Sequence, residues 1–336
     1  MKSIICEQPN LFRTEEVEMP IPKATEALIR VRRIGVCGTD LHAYRGKQPF
    51  FSYPRILGHE IAGEIVQIEE DSELRIGDQV AVIPYISCGT CIACRKGKEN
   101  SCVSLQVLGV HIDGGMREYM KVPKKQLIKT ESLTLDQIAM VEPFSIGLHA
   151  VNRGQVQSGE NVLVIGAGPI GLSVMKFAKL AGARVIAMDL NLSRLAFCKS
   201  WASVDEIIEA SSDVMNRLAE LTDGEFPTTV IDATGHAPSM MNTIGYAAAG
   251  GKVVFVSLVQ ADITFHDPEF HKKELTLLGS RAATREEFAY VIDCMQDGQI
   301  DITPYITHRA TLDEMTNEFE NWLDPKNGVI KAVITL

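Results

Sequence analysis

The stretch Asn161-Val-Leu-Val-Ile165-Gly166-Ala-Gly168-Pro-Ile-Gly171 decides the fold. An apolar, β-prone run ends in glycines spaced G-x-G-x-x-G, and Asp189 closes the next apolar run eighteen residues after Gly171. In this spacing Gly166 permits a tight turn, Gly168 lets a pyrophosphate approach the backbone, and Gly171 lets the next helix pack on the strand. The helix N-terminus then offers free N–H groups to a diphosphate. Gly166, Gly168, Pro169, Ile170 and Gly171 are therefore candidate cofactor contacts. Asp189 is placed to accept hydrogen bonds from the ribose hydroxyls and would repel a 2′-phosphate, which points to NAD over NADP. Arg194 keeps the phosphate alternative open; its simpler reading is a helix residue paired with an acid.

Working outward, strand and helix alternate from residue 161. Strands are expected at 162–165, 184–188, 229–231 and 252–256, and helices at 169–180, 193–201, 213–221 and 238–248, long enough to serve as right-handed crossovers of a parallel sheet. Upstream the period changes to short strands at 27–32, 60–68 and 79–83, the signature of a mainly β domain. The chain ends with a helix near 286–295 among short strands. The expected fold class is α/β: a mainly β catalytic domain at 1–146 and 282–336, and a doubly wound parallel-sheet domain at 147–281. A length of 336 residues suits two such cores.

The composition, 46% hydrophobic and 23% charged, excludes a disordered or fibrous chain. A net charge of -10 argues against nucleic acid and anionic membranes as partners. The apolar run at 162–175 is interrupted by Gly166, Gly168, Pro169 and Gly171, so no membrane span is expected. The opening residues 1–6 hold too short an apolar run for a signal peptide, and a cytoplasmic location follows.

In a reducing compartment eight cysteines are not a disulfide framework. Cys88, Cys91, Cys94 and Cys102 lie within fifteen residues in a lobe at 86–104 that is poor in apolar side chains. Four thiolates closing on one tetrahedral ion make a structural zinc site that holds together a lobe lacking its own core. A redox pair or an iron–sulfur cluster is the alternative. Cys6, Cys198 and Cys294 sit in apolar surroundings and read as packing residues.

A second set is scattered: Cys37 in Gly35-Val-Cys37-Gly-Thr39-Asp-Leu-His42, then Gly58-His59-Glu60, then Glu142 in Val-Glu142-Pro-Phe-Ser145. Thiolate, imidazole and carboxylate together are the donors of a catalytic zinc that keeps one position open, and such an ion brings a hydroxyl's pKa toward neutrality.

These motifs, in this order and over essentially the full length, resemble the medium-chain zinc-dependent alcohol dehydrogenase superfamily. Gly58-His59-Glu60-Ile-Ala-Gly63 is similar to its zinc signature, residues 88–102 to its structural-zinc lobe, and residues 166–171 to its cofactor loop. The resemblance implies a GroES-like catalytic domain and a Rossmann NAD-binding domain. Glu142, where the familiar alcohol dehydrogenases have a cysteine, places the chain in the polyol and threonine dehydrogenase branch. There Cys37, His59 and Glu60 resemble direct ligands and Glu142 an indirect one, which leaves open the carboxylate that binds the ion. Thr39 and His42 resemble the family's proton relay. Arg281 matches a position where a basic side chain meets substrate oxygens; a salt bridge is its other reading. Lys272 and Lys273 read as surface residues, since neighbours on a strand point to opposite faces.

Gln48-Pro-Phe-Phe-Ser-Tyr-Pro54, residues 267–274 and Gly279-Ser-Arg281 are similar to bacterial sugar-acid oxidoreductases and their starvation-sensing relatives. That implies oxidation of the C5 hydroxyl of an aldonate of the L-galactonate or L-gulonate type, with NAD as acceptor, in a homodimer or homotetramer. Polyol or L-threonine oxidation is the alternative within this class. A zinc-stapled NAD-binding regulator without catalysis is the alternative outside it.

Overall fold

In the computed structural model, which describes residues 1–69, 73–210 and 213–336, the chain divides into two units. One comprises Met1–Pro143 with Thr284–Leu336, the other Phe144–Ala283. The first boundary falls inside one long helix, Leu135–Gly154, which tolerates Pro143 in its interior.

The first unit is built on a seven-stranded sheet. Its central strand, Glu26–Val36, pairs antiparallel with Glu60–Ile68, with Tyr119–Pro123 and with Lys331–Thr335. Ala27, Ile29, Val31 and Ile34 of this strand are buried. They join Ile61 and Ile65 of one neighbour, Ala332 and Ile334 of the other, and Phe319 and Trp322 of the helix Met315–Leu323 in one core. Burial of a side chain of this size contributes about 1.5–3 kcal/mol.

The second unit is a six-stranded parallel sheet. Its strands run in the order Glu206–Glu209, Arg184–Asp189, Asn161–Ile165, Thr229–Asp232, Lys252–Phe255, Thr276–Gly279. Taken in chain order this is 3-2-1-4-5-6, the doubly wound arrangement with its switch point beside Asn161–Ile165. That strand is continuously apolar after Asn161, as a strand covered on both faces must be.

The glycine-loop helix, Pro169–Leu180, matches its expected bounds, whereas the helix expected at 193–201 is irregular. Leu192–Phe197 is α-helical, Cys198–Ala202 is a π turn, and Ser203 stops it in the left-handed region at φ 57°. Lys272 and Lys273 end a helix, Asp267–Lys272, rather than lying on a strand. Lys272 is exposed, but Lys273 is not a plain surface residue. Its Nζ donates to the carbonyls of Ile244, Gly245 and Ala247 at 3.3, 3.0 and 3.0 Å. A lysine satisfies unpaired carbonyls at the end of a helix, here Ala237–Tyr246. Cys6, Cys198 and Cys294 are buried.

Candidate metal centres and cofactor loop

Adjacent strands bring the mixed-donor site together at one end of the seven-stranded sheet. Gly35 pairs with Glu60 on one side and Val333 on the other, so Cys37, just past the strand, lies between His59-Glu60 and Lys331. One ligand atom each from Cys37, His59 and Glu60 falls within 4.8 Å of the others. Cys37 also caps the short helix Gly38–Tyr44, and Asp40, the third helical residue, closes a capping box by accepting from Cys37 N at 2.9 Å. The other oxygen of Asp40 accepts from Gly58 N at 3.0 Å and lies 3.7 Å from His59 Nδ1. One fully buried carboxylate thus ties together the two segments that carry the donors. His59 Nδ1 has no hydrogen-bond partner.

Desolvation by itself lowers the His59 pKa; the charges of Asp40, Cys37 and Glu142 outweigh it and hold the imidazole well above 6.5. A divalent ion satisfies such a surplus of negative groups, and thiolate, imidazole and carboxylate are donors that zinc accepts. Glu60 is wholly buried, and both its oxygens accept from Lys331 Nζ, at 2.6 and 2.7 Å. Glu142 is buried too and accepts from the Tyr85 hydroxyl. Burial pushes its carboxyl up to about 7, with Glu60 adding to the rise while His59, Tyr85 and Lys331 oppose it. Desolvation beside Glu142 likewise raises the Tyr85 phenol well above 10.0.

Thr39 and His42 sit three residues apart on Gly38–Tyr44, on one face of the helix. His42 is exposed, and partial desolvation with the charge of Lys47 lowers its pKa below 6.5, leaving it neutral and able to take a proton near pH 7.

Cys88, Cys91, Cys94 and Cys102 converge with their sulfurs within 4.8 Å of one another. Sulfurs 3.9 Å apart for Cys88 and Cys94, and 3.5 Å for Cys91 and Cys94, are too far for disulfides. Backbone N–H groups of Cys88 and Ser104 point at Cys102 Sγ (3.3 and 3.4 Å), and that of Cys91 at Cys88 Sγ (3.4 Å). Hydrogen bonds from the backbone at Thr90 and Cys91 bring the Cys88 thiol down to about 6, whereas desolvation raises Cys94 to about 12. The donor set fits a closed four-thiolate zinc site.

In the second unit Gly166 takes φ +99°, which an L side chain rarely adopts. A Cβ on Gly171 would overlap the Gly166 carbonyl oxygen, so the helix can approach only without one. Gly168 caps Pro169–Leu180, with Pro169 in the first turn followed by Ile170. Asp189 Oδ2 accepts from Ala167 N at 2.6 Å and Oδ1 from Asn191 N at 2.8 Å, which fixes the carboxylate beside the loop and leaves lone pairs for a diol. A Cβ at Gly168 would lie 4.0 Å from Arg194 Nη1, so this guanidinium borders the loop. Arg281 is exposed just past the strand Thr276–Gly279.

Sequence reasoning missed Asp40, Tyr85 and Lys331. Asp40 carried a local signal, an acid three residues into a helix after Cys37; the other two carry none.

Residues 23–132 match the model of the alcohol dehydrogenase GroES-like domain and residues 169–297 that of the zinc-binding dehydrogenases. L-galactonate-5-dehydrogenase of Escherichia coli K12 is 43% identical over all of this chain and 99% of its own. Starvation-sensing protein RspB of the same strain is 35% identical over 100% and 99%. The crystal structure of an alcohol dehydrogenase (rspB) from E. coli CFT073, complexed with NADH, superposes with a TM-score of 0.93 at 34% identity, covering 100% of this chain and 99% of that one. On this full-length likeness, the chain belongs to the zinc-dependent medium-chain alcohol dehydrogenases.

Proposed function

We propose that the protein is an NAD-dependent sugar-acid dehydrogenase that oxidises the C5 hydroxyl of an aldonate of the L-galactonate or L-gulonate type. The observation that carries this reading is the convergence of Cys37, His59 and Glu60, in a chain 43% identical throughout to an L-galactonate-5-dehydrogenase. Bound zinc would supply Lewis acidity to the substrate hydroxyl, and bound NAD a hydride acceptor. Cys37, His59 and Glu60 would hold the catalytic ion, with Asp40 fixing the loops that present them. Glu142, held by Tyr85, stands beside them as an indirect partner. Thr39 and neutral His42 would carry the released proton outward. Cys88, Cys91, Cys94 and Cys102 would hold the structural ion. Gly166, Gly168, Pro169, Ile170 and Gly171 would seat the dinucleotide, with Asp189 on the ribose. Arg194 at the loop border and Arg281 as a carboxylate partner complete the reading.

Four unbridged thiols suit a reducing cytoplasm. No helix among the described residues is long and apolar enough to cross a membrane. The edge strand Thr276–Gly279, with Leu277 exposed, supports self-association as a homodimer or homotetramer. An L-threonine 3-dehydrogenase of Bacillus licheniformis at 35% identity, and a sorbitol dehydrogenase of Bacillus subtilis at 29%, keep amino-acid and polyol oxidation as the second reading.

The test is NADH formation with hexonates, the matching alditols and L-threonine, using the enzyme as isolated and Cys37→Ser. Turnover of aldonates alone, lost in Cys37→Ser, is expected. Turnover of alditols or threonine alone would overturn the substrate, and no turnover with any of them would leave a regulator.

A further inference from the structure

The ammonium of Lys331 is 1% exposed and has spent all three of its protons. It donates to Glu60 Oε1 at 2.6 Å, Glu60 Oε2 at 2.7 Å and the Val36 carbonyl at 3.2 Å. Val36 precedes Cys37, and Glu60 follows His59, so this one side chain ties both segments that carry the mixed donors. Register explains how it gets there. Gly35 faces Val333 and Glu60 across the two neighbouring strands, and Lys331 lies two residues from Val333 on the same face. With no side chain on Gly35, lysine and glutamate meet over its Cα.

Glu60 is therefore claimed twice. It lies within ligand reach of Cys37 and His59, yet both its oxygens already serve a buried cation. A buried carboxylate that stays charged needs donors or a positive partner, since desolvation penalises an unpaired one. Lys331 supplies an ammonium on both its oxygens, and the metal would supply a competing cation.

We propose that Lys331 is the positioning residue that decides whether Glu60 ligates the catalytic metal, the ammonium and the ion competing for one carboxylate. With Glu60 on Lys331 the metal would be held by Cys37 and His59 alone of this set; with Glu60 on the metal all three would hold it, and one position would stay open for substrate. The inference rests on Cys37, His59 and Glu60 as metal ligands, and it deepens that reading by naming what controls the third of them.

Competition and simple support predict opposite signs. If Lys331 only propped up the site, Lys331→Met would loosen it and speed metal loss. If Lys331 competes, the same variant frees Glu60 for the metal and slows loss by about 10- to 100-fold, the range over which residues behind the ligands tune metal affinity. The measurement is zinc release to a chelator, with the catalytic phase identified as the one missing in Cys37→Ser. Lys331→Arg, which keeps the charge, is expected to release that zinc at least as fast as wild type. Lys331→Met in a Glu60→Gln background is expected to change nothing relative to Glu60→Gln alone. Faster or unchanged release in Lys331→Met overturns the proposal. Should that variant not fold, slower release in Lys331→Arg overturns it instead. If wild type holds one zinc per chain and Cys37→Ser removes no phase, the ligand assignment itself falls, a failure distinct from two zincs with an unmoved rate.

Discussion

Gly35 and Glu60 face each other across adjacent antiparallel strands, and the space that a Cβ on Gly35 would need is filled by Glu60 Oε2, with the Met140 methyl close behind. Gly35→Ala has to displace a carboxylate held on two sides by Lys331. Overpacking of this kind costs about 1–3 kcal/mol. The expected result is a lower melting temperature together with loss of one zinc of two by metal analysis. A variant that melts lower but retains both ions would mean that the carboxylate can move without harm to the donors.

Asp40 accepts from Cys37 N and Gly58 N and stands 3.7 Å from His59. Asp40→Ala strands the buried Gly58 N, at about 1–3 kcal/mol, together with the half-buried Cys37 N, and removes the carboxylate beside His59. Zinc affinity at the mixed site should fall by about 10- to 100-fold, read by competition with a chromophoric chelator. The four-thiol site, sharing none of these contacts, should keep its ion, and loss of both ions together would point to general unfolding instead.

Glu142 supplies a pH dependence. Its carboxyl, pushed up to about 7 by burial, binds its proton more tightly in the folded chain than at its ordinary value of 4.5. A raised folded value contributes stability that is full below the unfolded value and is lost as pH rises through the folded one. Metal-free protein should therefore melt progressively lower as pH climbs from about 5 to about 8, and Glu142→Gln should flatten that slope. An equal slope in the variant would move the titration to another group.

The cysteine lobe should respond to acid in its own way. Backbone donors hold the Cys88 thiol down at about 6, so its thiolate persists at neutrality and is lost as pH falls through that value. Protons compete with zinc for all four thiolates, so acidification should release zinc from the lobe, and limited proteolysis should then cut within residues 88–102. Cys88→Ser should show the same cleavage at neutral pH. Resistance to protease after zinc loss would show that the lobe stands without its ion.

Asp189→Ala removes the acid beside the glycine loop and leaves Arg194 as its charged neighbour. The ratio of kcat/KM for NADP to that for NAD should rise by about tenfold or more, a difference of at least 1.4 kcal/mol. No change in the ratio would remove Asp189 from cofactor choice.

What the chain discloses locally and what it hides divide along physical lines. Glu60–Ile68 and Pro169–Leu180 were readable to the residue because Gly58 and Gly168 stand just ahead of their starts and their residues favour strand and helix respectively. The helix Leu135–Gly154 was not, since Pro143 interrupts its middle and disguised Glu142 as part of an isolated motif. Among site residues, Cys37, His59 and the four clustered cysteines announce themselves through side-chain chemistry and spacing. Lys331 sits in an ordinary strand pattern, and its partner lies 271 positions away. Tyr85 likewise finds Glu142 across 57 positions. Partners brought together only by folding leave no periodic trace, so the candidate donors were legible and the groups that hold them were not.

The strand that carries Lys331 completes its sheet against residues made long before it. Lys331 and Val36 are 295 positions apart, and the whole parallel-sheet unit lies between them. At about 5–20 residues per second of synthesis, the interval is on the order of 15 to 60 s. For most of it Cys37, His59 and Glu60 have already been made, while the cation that will compete for Glu60 has not. Zinc arriving in that window meets a third donor with no rival, so the order of translation itself favours loading the metal before the sheet closes over it.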